Sequence, residues 1–215
     1  MRYPTLTCLL WTGLLAAGAA ALLFLIAVPP AFVLDLRIGA VISAYLLLNI
    51  LYIFFLKHAV IIDVFCLGAF FYLRVLAGGI SSGAELSNWI IMCTILMALF
   101  LGFNKRKYDL THSKETRPVF AKYDGYFIDR MISIISASLV ISYSLYVMDP
   151  ATIARFQTNN LIFSVPFVYY GIFRYIYLID TKWYGGDPAR IIVGDYKVQL
   201  TMLLWVVFCG AVIYF

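Results

Sequence analysis

One feature constrains this chain more than any other. It repeats uncharged apolar runs close to the roughly 20 residues that a helix needs to cross a bilayer. Seven such spans read off the sequence: Thr7–Val28, Ile38–Leu56, Ala59–Gly79, Asn88–Phe103, Met131–Met148, Leu161–Leu178 and Val198–Phe215. Lipid offers backbone groups no hydrogen-bond partner, so each run must satisfy its own amides as a helix. Composition agrees, with 64% hydrophobic and 13% charged residues. A soluble domain carries roughly 45–50% apolar and 25% charged. The expected fold is an all-α integral membrane bundle, a single transmembrane domain over residues 1–215. The short fourth span is expected to tilt or to begin earlier. Val28-Pro29-Pro30 breaks the chain after the first span, whose apolar run is longer than a signal-peptide core and lacks a small-x-small cleavage site after it.

Only two loops are long, Asn104–Arg130 and Ile179–Lys197. The four cysteines, Cys8, Cys66, Cys93 and Cys209, sit in apolar segments with neither zinc nor disulfide spacing and read as packing residues. Basic residues orient the bundle. The N-terminus and the loops after spans two, four and six hold twelve of them, while the opposite loops hold Arg37 and Arg155. The N-terminus and both long loops are therefore expected in the cytoplasm, with the chain a multi-pass protein of the inner (plasma) membrane.

Three charges fall inside spans: Asp63, Arg74 and Arg174. Intramembrane charges are costly and mark polar cavities or partners on other helices. Asp63 and Arg74 return to within about 20° of one helix face but stand about 16 Å apart along the axis. They either line one stripe of a cavity or each has a partner elsewhere. Lys57 closes span two beside His58, as a topology anchor or as a phosphate contact. His58 lacks a second metal-ligating residue at suitable spacing and reads as interfacial.

The stretch LFLGFNKRKYDL, Leu99–Leu110, runs from apolar residues into Lys105, Arg106, Lys107 and Asp109. If the helix continues past the membrane, Lys105 and Asp109 stack at i, i+4. Such a pair suits a Mg²⁺-bridged phosphate, and it equally suits a stop-transfer cluster. No Walker loop, G-x-G-x-x-G, nucleophile elbow, HExxH or CxxC pair is present.

Tyr52–Gly79, YIFFLKHAVIIDVFCLGAFFYLRVLAGG, resembles the second conserved region of the UbiA prenyltransferase superfamily. The matching positions are Tyr52, Leu56-Lys57, Asp63, Leu73-Arg74 and Gly78. The similarity is greatest to the branch that makes phosphoribosyl lipids, the decaprenyl-phosphate phosphoribosyltransferases. Leu86–Trp89 is similar to a Leu-Ser-x-Trp element, and the Lys105–Asp109 run to a Lys-Arg-x-x-Glu element. Tyr126–Ser133, Tyr169–Ile179 and Gly185–Pro188 also match in order.

The resemblance implies a bundle around a cavity open to the cytoplasm and to lipid. It implies transfer of 5-phosphoribosyl from phosphoribosyl diphosphate (PRPP) to a polyprenyl (decaprenyl) phosphate, for cell-envelope arabinose-type donors. Lys57, Lys105, Arg106 and Asp109 would be catalytic, with Asp109 on Mg²⁺. Tyr52, Asp63, Arg74, Asp129, Arg174 and Asp187 would bind substrate. The partners implied are PRPP, the lipid phosphate and the membrane, with no nucleic acid. Two features depart from the family. The Asn-Asp-x-x-Asp-x-x-x-Asp motif has no counterpart here, and seven spans stand against the family's nine helices. The expectation is that the chain is a fragment or split reading frame, that its start is misplaced, or that a companion chain supplies two helices and the main Mg²⁺ carboxylates, and that the isolated chain is inactive. Two alternatives stand beside this reading: a conventional UbiA enzyme moving a prenyl chain, and a non-catalytic membrane subunit.

Overall fold

The computed structural model describes residues 32, 35–112, 124–181 and 188–214. The expected first span, Cys8, the Val28–Pro30 break and Asp187 lie outside the described residues. Eight helices are described: α1 (Leu36–Phe54), α2 (Ile62–Ser82), α3 (Asn88–His112), α4 (Gly125–Met148), α5 (Pro150–Phe156), α6 (Val165–Thr181), α7 (Pro188–Gly194) and α8 (Tyr196–Tyr214). Single 3₁₀ turns at Leu56–His58 and Asn160–Ser164 precede α2 and α6. Six segments are long and apolar enough to cross a membrane: α1, α2, α3 through Leu110, α4, Asn160–Thr181 and α8. They coincide with the six spans expected after the first, and the described residues form an all-α membrane-type bundle.

The fourth span differs from its expected bounds. It does not begin earlier than Asn88; the extra length lies at its other end, where the helix continues through the charged residues to His112. Lys105, Arg106, Lys107 and Asp109 end the apolar run without ending the helix. No Gly or Pro intervenes between Lys105 and His112, Arg and Lys are good helix formers, and cations near a helix C-terminus suit its dipole. The expected loop from Asn104 is therefore helical up to His112. At its far end α4 starts at Gly125, where Asp124 caps the helix by accepting from the Tyr126 amide. The loop before Leu161 also contains a short helix, α5, with Asp149 as N-cap, Pro150 in its first turn and left-handed Gln157 at its end.

The chain divides into two compact units. One holds α1 and Leu73–Glu85; the other holds Phe55–Tyr72 and the residues from Leu86 onward. In the larger unit α3 packs along α4 and α6 along α8. Its core joins Phe100 and Phe103 of α3 to Ile128 and Ile132 of α4 and Tyr175 and Leu178 of α6. The Phe100 and Tyr175 ring centroids are 5.3 Å apart. Leu, Ile, Val and Phe side chains face outward on every membrane-length helix, as in Phe54, Phe65, Ile134 and Leu203. Lipid solvates such a surface. Hydroxyls within the spans bond back to their own helix: Ser138 donates to Ile134 and Ser144 to Val140. That satisfies them without a partner helix.

Candidate active site at the polar helix ends

The starts of α2 and α4 and the ends of α3 and α6 carry a cluster of charges within the larger unit, and a separate pair joins α6 to the start of α8. On α2, Asp63 is 1% exposed and accepts from Arg106 Nε of α3 at 2.8 Å. Arg106 is itself buried, at 5% exposed. Its Nη1 reaches Asp109 Oδ2 at 3.4 Å, one turn further along α3. Lys107, the next residue, turns about 100° away around the helix. It pairs with Asp129 of α4 at 2.8 Å and also with Asp180 of α6. The end of α3 is thus a hub, with Arg106 holding α2 and Lys107 holding α4 and α6.

A buried pair at this hub needs close helix approach. Gly102, one turn before Arg106, provides it: a Cβ there would lie 2.7 Å from Val64 Cγ1. Val64 is fully buried and follows Asp63 directly. Just before α2, Ile61 has φ of 72°, an uncommon conformation for a β-branched residue. Its carbonyl accepts from the Val64 and Phe65 amides, fixing the first turn that carries Asp63.

A second pair joins α6 to α8. Arg174 Nη2 donates to Asp195 Oδ2 at 2.7 Å. Asp195 Oδ1 accepts from the Lys197 and Val198 amides at 3.0 and 3.1 Å, capping α8.

The expected site residues therefore separate. The structure brings together Asp63, Arg106 and Asp109, and beside them Lys107 and Asp129. Lys105 is exposed at the same helix end and forms no ion pair among the described residues. Its expected i, i+4 companion Asp109 turns instead to Arg106. Lys57 is half-buried in the 3₁₀ turn before α2, without an ion pair among the described residues. Arg174 is tied to Asp195. Arg74 and Tyr52 belong to the smaller unit, where Arg74 Nη2 donates to Tyr45 of α1 at 2.7 Å. Asp63 and Arg74 thus each have a partner on another helix, one of the two arrangements open from sequence.

Sequence reasoning missed Tyr45, Asp180 and Asp195. Asp195 carried a signal, an Asp directly before an apolar helical run, which is a helix-start signature. Tyr45 and Asp180 carried none, because what matters is their contact across helices.

Among the described residues no three His, Cys, Asp or Glu side chains converge where they could hold a metal ion. Asp109 offers one carboxylate and shares it with Arg106.

No family model matches the chain. It is similar to the decaprenyl-phosphate phosphoribosyltransferase of Corynebacterium glutamicum, 28% identical over 91% of this chain and 60% of the relative. The enzymes of that name from Mycolicibacterium smegmatis and Mycobacterium tuberculosis are 25% and 24% identical, each over 94% of this chain. The chain spans 60% and 66% of the length of the first two. All three relatives are transferases by name, and over nine-tenths of its length the chain is a homologue of decaprenyl-phosphate phosphoribosyltransferases.

Proposed function

We propose that the chain is, or is part of, a membrane transferase that moves 5-phosphoribosyl from PRPP to a polyprenyl phosphate and releases diphosphate. The observation that carries this reading is the hub. The Lys-Arg-x-x-acid element stands on one helix end, where it meets charges from three further helices, in a chain similar to enzymes of that name. The reaction fits such a face. An oxygen of the lipid phosphate bonds to C1 of the ribose as the bond from C1 to the diphosphate oxygen breaks. The nucleophile is already an anion, so no strong base is needed. Negative charge grows on the leaving diphosphate, and a fixed cation nearby stabilises it. Lys105 is the exposed cation of the hub and is assigned that role. Lys57 is a second candidate, and the apolar outer faces suit a polyprenyl tail. A role in cell-envelope sugar donors, a companion chain with the acidic motif, and the inner membrane as location belong to the same proposal.

The test uses membranes carrying the chain, alone and with a co-expressed segment bearing a relative's acidic first motif. Label from radioactive PRPP should enter the lipid extract only when polyprenyl phosphate is added. Label entering from prenyl diphosphate instead would make the protein a conventional prenyltransferase. Label from neither donor in either arm would leave a non-catalytic membrane subunit.

The hub is proposed to face the cytoplasm, on the strength of the basic-residue asymmetry. Val193, 73% exposed on α7, lies between two spans at the hub side, and Thr158 lies in the turn after α5. In intact cells a cysteine at Thr158 should react with an impermeant thiol reagent and one at Val193 should not. The reverse labelling would invert the orientation.

A further inference from the structure

Arg106 is the residue whose place in the structure fits least with binding a substrate phosphate directly. Its side chain is 6% exposed, that of Asp63 is 1% exposed, and the two meet at 2.8 Å. A guanidinium with Nε on one carboxylate and Nη1 directed at another is already neutralised. The Asp109 side chain is more open, at 20% exposed. Lys105, one residue before Arg106, is exposed and has no ion pair among the described residues. Burial thus grades the cluster from inside outward: Asp63, then Arg106, then Asp109, with Lys105 at the surface. Gly102 and Val64 lock the inner part by close contact, and the left-handed Ile61 fixes the turn that delivers Asp63.

We propose that Asp63 and Arg106 are positioning residues that act through Asp109 and never touch the donor, and that donor contact belongs to Asp109 and Lys105. This rests on the transferase reading above. Asp63 fixes the Arg106 guanidinium, and Arg106 fixes the Asp109 carboxylate. A carboxylate on the last turns of a helix otherwise samples several rotamers, and a reacting group loses rate steeply with small misplacement. The arrangement predicts that damage to the inner pair lowers turnover while donor binding persists, whereas damage to Lys105 weakens binding.

The experiment measures kcat and KM for PRPP, and equilibrium binding of PRPP, on the folded, monodisperse fraction of each variant. Whichever arm of the transfer assay is active is used. Arg106→Lys keeps the charge but cannot reach both carboxylates as a fork. It should lower kcat tenfold or more and leave KM and PRPP binding within about twofold. Asp63→Asn, nearly isosteric and the milder variant if Arg106→Lys folds poorly, should do the same. Asp63→Asn combined with Arg106→Lys should be no slower than Arg106→Lys alone, because one acts through the other. Lys105→Gln should raise KM and weaken PRPP binding about tenfold, and lower kcat as well, because the same cation holds the donor and stabilises the leaving diphosphate; the loss of binding is what sets it apart from the inner-pair variants.

A tenfold rise in KM with weakened PRPP binding for Arg106→Lys would overturn the proposal and return Arg106 to direct phosphate contact. Wild-type kcat in both inner-pair variants would overturn it as well, making the pair purely structural. Multiplicative loss in the double variant would remove the relay. Wild-type protein that neither binds PRPP nor transfers from it would instead sink the transferase reading, a result recognisable before any variant is made.

Discussion

Among the described residues the larger unit holds two interhelical Asp–Arg clamps, and they are built for different work. The clamp between α2 and α3, Asp63 with Arg106, is closed on both sides. The clamp between α6 and α8, Arg174 with Asp195, buries only its acid, and that acid also caps α8 through two backbone amides. In the first, Arg106 also reaches a second carboxylate, and the contacts lead on to Asp109. In the second, the contacts lead back into the backbone. Identical residue types thus divide into a clamp that serves neighbouring side chains and one that serves a helix start. Burial and the second partner separate them; residue identity does not.

The largest expected effect tests the closed clamp. Removing one partner of a buried ion pair leaves the other charged and unsolvated, at a cost of about 3–5 kcal/mol. Asp63→Ala should therefore strongly lower the unfolding midpoint of the detergent-purified protein. Asp109 gives Arg106 a residual partner, which places the cost towards the lower end. Replacing both members by apolar residues of similar size, Asp63→Leu with Arg106→Met, should recover most of the loss. A double variant as unstable as Asp63→Ala alone would show that the pair is not an isolated buried pair, and that its charges are needed by other groups.

Much of this was legible in the sequence, though unevenly. Six spans follow from hydropathy because lipid forces a helix wherever about 20 apolar residues run together. The polar hub was announced by Lys105–Asp109, and the need of Asp63 for a partner followed from the cost of an intramembrane charge. The identity of that partner did not follow. Asp63 and Arg106 lie 43 residues apart, and the pairing depends on α2 and α3 approaching at Gly102. The extension of α3 to His112 was similarly hidden, because hydropathy marks where the membrane ends rather than where the helix does. The smaller unit was least legible: Tyr45 is one of many aromatics in the chain, and only geometry picks it out as the partner of Arg74.

A second comparison uses a glycine beside each clamp. Gly102 lies one turn before Arg106, and Gly171 lies three residues before Arg174. A Cβ on Gly102 meets Val64 at 2.7 Å, whereas one on Gly171 meets nothing within 4 Å. Overpacking a closed contact costs about 1–3 kcal/mol. Gly102→Ala should lower stability by that amount and, by parting α2 from α3, lengthen the Asp63–Arg106 contact. Gly171→Ala should instead gain about 0.5–1 kcal/mol, the usual advantage of Ala within a helix. Thermal unfolding of the two variants in the same detergent checks the opposite signs. Equal effects would mean that the approach of α2 to α3 is looser than the Gly102 contact requires.

The smallest expected effect concerns the open clamp and its dependence on pH. The Arg174 guanidinium beside Asp195 holds its carboxyl below the usual carboxylate range, with the Val198 and Lys197 amides adding to that and burial opposing it. A carboxylate whose folded pKa is depressed contributes stability that is fully present above its unfolded pKa, about 4. That contribution is lost as pH falls through the folded value. Asp195→Asn retains a capping oxygen, since Asn caps a helix about as well as Asp. It removes only what the charge adds. The difference in unfolding midpoint between wild type and Asp195→Asn should therefore be constant from neutral pH down to about 5 and shrink below about 4. Because other carboxylates protonate in both proteins, the difference between them, rather than either midpoint, carries the result. A difference unchanged at pH 3 would mean that the carboxyl acts only as a cap. The α6–α8 contact would then have no electrostatic share, and the contrast with the closed clamp would be sharper still.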